Sequence, residues 1–212
     1  MTIVEAKNLF GSNFIGPEEL GQLSRSIAVD IKSVPEIPFV DDILVAHAAT
    51  HLLIFIPSHF ADGTSITINA LRERLGMDPA VSEPCMYNQD WYVKEDFAAV
   101  TTPDNGWHLI AKQALNEARA KQPGDIESSL PSTEVFPSAI TLAFAFFAYW
   151  YATGGEKLWV NDFLWCSDRD HNDDRIYVGR YEDPSGVNKN GFNIHRHLAL
   201  RPAYSVAPEI LA

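Results

Sequence analysis

Cysteine is scarce in this 212-residue chain: Cys85 and Cys166 stand about eighty positions apart, with no C-x-x-C spacing. That excludes a disulfide framework and a zinc knuckle and leaves two buried free thiols as the expectation. Basic residues are also few, 16 Lys and Arg against 28 Asp and Glu, for a formal net charge of -12. Proteins that hold nucleic acid release counterions through a basic face, so no nucleic-acid partner is expected. The opening M-T-I-V-E-A-K-N-L-F carries an early acid and lacks an apolar core of export-signal length, which makes the cytoplasm the expected location. No G-x-S-x-G, Walker or G-x-G-x-x-G pattern occurs, so no catalytic residue is assigned. No repeat, low-complexity tract or long linker divides the chain, and residues 1–212 read as a single domain.

Long apolar runs are missing with one exception. No formal charge falls between Glu134 and Glu156, and Val135 to Thr153 is mostly apolar, close to the roughly 20 residues that a membrane-spanning helix needs. Pro137 suits a first helical turn, Ser138 and Thr141 dilute the run, and Gly154-Gly155 supplies a stop. No Lys or Arg cluster marks a flank. A buried core helix is therefore expected, with no membrane partner. Hydrophobic residues at 46% and charged residues at 21% fit a packed globular core.

What is present is clearest from Leu158 to Val206. L-W-V-N-D-F-L-W-C-S-D, R-I-Y-V-G-R-Y, G-F-N-I-H-R-H-L and A-L-R-P-A-Y-S-V are four short β-rich runs separated by polar or Gly- and Asn-bearing turns. The pattern predicts an antiparallel meander around which the remaining chain packs. Upstream, the reading is a short strand at Thr2 to Glu5, a helix over Pro17 to Val29 and an extended connector with Pro35 and Pro38. One long strand then runs up to Ile56, and a capped helix covers Thr67 to Leu75. Residues 1–60 thus form a helix and strand lead-in. Met77 to Asn105 reads as an ordered irregular segment, W-H-L-I as a strand, and Ala111 to Lys121 has helix composition. Asp125 to Leu130 reads as a further helical turn. The fold class is α+β, with helices packed on a C-terminal antiparallel sheet.

In order, F-P-S-A-I-T-L-A-F-A, W-C-S-D, Y-V-G-R-Y and L-R-P-A-Y, covering roughly residues 136–206, resemble the C-type-lectin-like fold. The likeness is to the form used by formylglycine-generating-type (sulfatase-modifying-factor-like) bacterial proteins. The catalytic members carry a closely placed cysteine pair near the end of the domain, whereas here no cysteine follows Cys166. The resemblance therefore implies a scaffold whose loops bind ligands, without that oxidase chemistry.

Three constellations hold candidate site residues. In S-D-R-D-H-N-D-D-R, the alternate oxygens of Asp168, Asp170 and Asn172, with Asp173 or Asp174, suit the oxygen shell of calcium, the one cofactor considered. Asp173 stands where an EF-hand needs glycine and Gly179 where it needs glutamate. The alternative is a solvated hairpin loop offset by Arg169 and Arg175. His47 and His51, with His59 beyond, have zincin-like spacing, but Ala48 replaces the base; core or surface histidines are the other reading. On the strand G-F-N-I-H-R-H-L, His195 and His197 share one face and Arg196 takes the other. Together with Asn88, Asp90 and Trp91 of an aromatic loop, and Asn188 and Asn190 of a turn, they form the expected ligand surface. Most tryptophans should be core, with Trp91 the exposed exception.

The function expected is a non-catalytic module that binds a protein, small molecule or carbohydrate. Two alternatives stay open. One is a metal-dependent enzyme using the Asp168–Asp174 loop with His171 or His195; the other is a structural subunit of a homo-oligomer.

Overall fold

The computed structural model describes residues 1–182, 185, 191–196 and 200–212. In chain order the elements are α1 (Ile3–Phe10), β1 (Phe14–Ile15), α2 (Gly21–Ile27), α3 (Asp41–His47), β2 (His51–Ile56), α4 (Ile68–Leu75), α5 (Asp96–Ala99) and β3 (Gly106–Ala111). They continue as α6 (Pro123–Ser129), β4 (Glu134–Val135), α7 (Ala139–Thr153), β5 (Phe163–Arg169), β6 (Arg175–Gly179), β7 (Asn193–Arg196), β8 (Tyr204–Ser205) and β9 (Glu209–Ile210). The class is α+β, and there are two mixed sheets where one was expected. A five-stranded sheet has the order β1-β2-β3-β9-β4 and a four-stranded sheet the order β7-β6-β5-β8.

The C-terminal sheet departs from the expected meander in its first and last strands. The β5 ladder starts only at Phe163: before it Val160 makes an isolated bridge to Arg180, flanked by Trp159 and Asn161 in left-handed conformations (φ 49° and 62°) that break the first run. β5, β6 and β7 are antiparallel neighbours, but β8 lies parallel to β5, with Phe163 opposite Tyr204. The chain then crosses to the other sheet, where β9 pairs with both β3 and β4. The C-terminal segment thus ties the two sheets together.

α7 lies between the sheets and touches β1, β2, β5 and β6 as well as α2, α4 and α5. It is buried nearly all round, with every residue from Ala139 to Tyr149 inside, which is why its sequence carries no charge and no polar stripe. Ser138 caps it by accepting from the Thr141 N–H at 3.2 Å, and Gly154 ends it at φ 75°. Phe146 and Phe147 clasp Phe192, with centroids 4.9 and 5.7 Å away. Each such phenyl contributes about 1.5–3 kcal/mol by burial alone. Among the described residues no helix is long and apolar enough to cross a membrane.

Four other expectations are corrected. Thr2 to Glu5 is the start of α1 instead of a strand, because Thr2 and Glu5 form a capping box: Thr2 Oγ1 accepts from Glu5 N and Glu5 Oε2 accepts from Thr2 N. The long strand is a helix, a turn and a strand, since Asp41 and Asp42 favour the positive end of α3 and β2 begins at His51. The Pro17 helix begins later, at Gly21, after a turn closed by Leu20 N donating to Gly16 O at 3.0 Å. Ala111 to Lys121 holds only a single 3₁₀ turn at Asn116–Ala118. There the C-terminal segment claims the backbone donors: Ala111, Leu115 and Ala120 donate to Pro208, Val206 and Tyr204. Thr67 caps α4 as expected, through Ala70 N at 3.2 Å.

Candidate ligand-binding site

Alternation along the C-terminal strands sorts their residues to two faces. Leu164, Cys166, Ile176, Val178 and Ile194 join the main core that holds α7, while Phe163, Trp165, Tyr177 and Tyr204 join a second cluster on the opposite side. Register then brings the rings together, since Trp165 lies opposite Tyr177 and Tyr177 opposite His195. Tyr204, Tyr177 and His195 form a row of near-parallel rings. The first two centroids are 4.7 Å apart at 32°, and the last two 5.4 Å apart at 27°. Phe163 stands edge-on to all three at 5.7–5.9 Å. Such offset and edge contacts suit the ring quadrupoles.

These rings line a cup of about 580 Å³, completed by Asn161, Tyr181, Arg201 and Ala203. Its floor is buried, at 1% exposure for Tyr177 and 4% for Tyr204, whereas Tyr181 on the rim is 44% exposed. The Tyr177 and Tyr204 hydroxyls lie 3.2 Å apart. Burial, then the hydrogen bond with Tyr204, pushes the Tyr177 phenol well above its ordinary range, so it stays neutral.

Beside the cup, and sharing His195 with it, is a polar cleft of about 400 Å³ lined by Asn88, Gln89, Asp90, Trp91 and Arg196. Asn88, Asp90, Trp91 and His195, chosen from the sequence, are therefore brought to one place. The loop is pinned there by Tyr87 N donating to Phe192 O (2.8 Å) and Phe192 N donating to Cys85 O (2.9 Å). Trp91 is half-buried instead of exposed, because its indole N–H donates to Ile194 O at 3.1 Å. The Arg196 guanidinium lies over its ring, 4.7 Å from the centroid. Asn188, Asn190 and His197 lie outside the described residues.

The acidic loop is divided in its loyalties. Asp168 Oδ2 accepts from Ala139 N at 2.6 Å and so serves the N-terminus of α7. Asp170 Oδ1 accepts from Asn172 N and Asp174 N, both at 2.9 Å, and Oδ2 pairs with Arg196. Asn172 and Asp174 thus enter through their backbone. A different set converges: one ligand atom each from Glu95, Asp170 and His171, all within 4.8 Å of one another. Glu95 accepts from His171 N at 3.0 Å and lies 2.6 Å from His171 Nδ1. It was not singled out in the sequence, because the 76-residue separation from His171 hides the pairing.

The remaining candidates stand apart. The His47 and His51 rings meet at 4.4 Å, and burial with the neighbouring His47 pushes His51 down to about 4. His59 Nδ1 lies 2.8 Å from Ser58 Oγ. Among the described residues none of the three belongs to a group of three metal-ligating side chains. Both cysteines are free and buried, and burial raises Cys85 to about 11 and Cys166 well above its usual value. Neither is poised as a thiolate nucleophile.

Fold and site together define an α+β chain with an aromatic cup on the outer face of its C-terminal sheet. No family model, curated protein or solved structure matches the chain.

Proposed function

We propose that the protein is a non-catalytic binding module that seats a small ring-bearing ligand in the aromatic cup, with the Asn88–Trp91 cleft as its polar extension. The observation that carries this reading is the position of His195, a residue that lines both cavities. A ligand seated among the rings places its substituents against polar side chains, the combination of apolar walls and a few convergent polar groups typical of small-molecule sites. The lectin-like scaffold is part of the proposal: W-C-S-D on β5 and Y-V-G on β6 supply strands whose outer face and adjoining loops carry the recognition surface. Ligand-observed NMR with a library of small cyclic compounds tests it. Compounds that bind the wild type should lose their signal with Phe163→Ala, and hits indifferent to that change argue against the cup.

A second reading rests on the meeting of Glu95, Asp170 and His171. In it the cluster holds a divalent cation, and its mixed nitrogen and oxygen donors suit zinc or manganese better than calcium. Arg196 competes for that place, since it already neutralises Asp170. A thermal shift with each metal decides. A saturable rise that disappears in Glu95→Gln supports the metal, and unchanged melting at millimolar metal removes it.

A further inference from the structure

We infer that the ligand of the cup is a small aromatic acid, a planar ring bearing one anionic group that meets Arg201. The inference rests on the cup being the binding site and goes on to name the ligand's chemical class. The ring follows from the walls. Phe163, Tyr177, His195 and Tyr204 all line the cavity, so a flat π-system that enters it meets aromatic side chains on its walls. About 580 Å³ is ample for one or two fused rings with a substituent.

The charge follows from what lines the cup. In a chain with 28 acidic against 16 basic residues, no acidic side chain lines this cavity among the described residues, and Arg201 stands on its rim. Arg74, Arg119, Arg175, Arg180 and Arg196 each hold a carboxylate. Arg201, like Arg25 and Arg72, has no such partner among the described residues, but it alone of the three lines the cup, where it is an exposed residue. A carboxylate or phosphate supplies the partner, through charge-assisted and bidentate hydrogen bonds that a guanidinium fork is shaped to make. The same charge argues against the other use of an aromatic cage, capture of an organic cation, because Arg201 repels the cation and no lining acid offsets its charge. Asn161 and Tyr181 are then left to contact the remaining polar edge.

The test is calorimetric titration of the whole chain with benzoate, phenyl phosphate, benzyl alcohol, methyl glucoside and inorganic phosphate. It is run on the wild type, Arg201→Gln and Phe163→Ala, after circular dichroism shows each variant folded. At least one aromatic acid should bind about tenfold or more tightly than benzyl alcohol. Arg201→Gln should erase the difference between acid and alcohol, and Phe163→Ala should weaken both. Benzoate against phenyl phosphate identifies the anionic group. If benzyl alcohol or methyl glucoside binds as tightly as either acid and still depends on Phe163, the cup stands and the acid is refuted. If inorganic phosphate matches phenyl phosphate, the ring adds nothing and the inference fails. Absence of heat from every cyclic compound overturns the acid and the cup together.

Discussion

Asp168 and Asp170 sit two positions apart on one hairpin, yet their carboxyls are pushed in opposite directions. Burial dominates at Asp168 and raises it despite the Ala139 N–H. At Asp170 burial pulls the same way but is outweighed by Arg196 and by the N–H groups of Asp174 and Asn172, so the carboxyl is held low. Asp168→Asn keeps an acceptor for the helix terminus and removes a buried charge; its stability at neutral pH should stay within about 1 kcal/mol of wild type, whereas Asp168→Ala should lose about 1–2 kcal/mol in urea denaturation. His108 makes a second residue-level prediction. Its burial favours the neutral ring, but Glu209 at 2.5 Å and the Asp104 carbonyl at 2.9 Å outweigh that and raise it above the ordinary value near 6.5. A raised folded value means that the contribution is complete below pH 6.5 and is lost as pH rises through the folded value. Melting temperature measured from pH 5.5 to 9 should therefore fall at the alkaline end more steeply in the wild type than in His108→Gln.

At the scale of elements, legibility followed the source of the hydrogen bonds. α4 and α7 announce themselves locally, with Thr67 and Ser138 as caps and Gly76 and Gly154 beyond the last turn. Ala111 to Lys121 has equally good helix composition, but its backbone bonds to residues 204–208 nearly a hundred positions later, which no local window contains. The site divides in the same way. Asn88, Asp90, Trp91 and His195 stood out as polar or aromatic groups in turn-rich sequence, while Phe163 and Tyr204 became wall residues only through the parallel pairing of β5 with β8. Two substitutions probe the elements. Phe147→Ala, which leaves a cavity against Phe192, should cost about 3–5 kcal/mol in urea denaturation. Gly191 is packed so closely on the Asn88 loop that an added Cβ would lie 2.3 Å from Met86 C and Tyr87 N. Gly191→Ala should push that loop from β7 at a cost of about 1–3 kcal/mol, visible as changed amide chemical shifts from Tyr87 to Trp91.

For the whole molecule, the two sheets act as supports for α7, and the C-terminal segment stitches them by pairing first with β5 and then with β3 and β4. The face of the smaller sheet turned away from α7 carries a second buried cluster, and the aromatic cup opens where Phe163, Tyr177 and Tyr204 of that cluster meet His195. The most direct measurement of that claim is a crystallographic screen with small cyclic compounds. Density for a cyclic compound is expected inside the cavity lined by Phe163, Tyr177, His195 and Tyr204. Density that gathers at other surfaces while this cavity stays empty throughout the screen would contradict it.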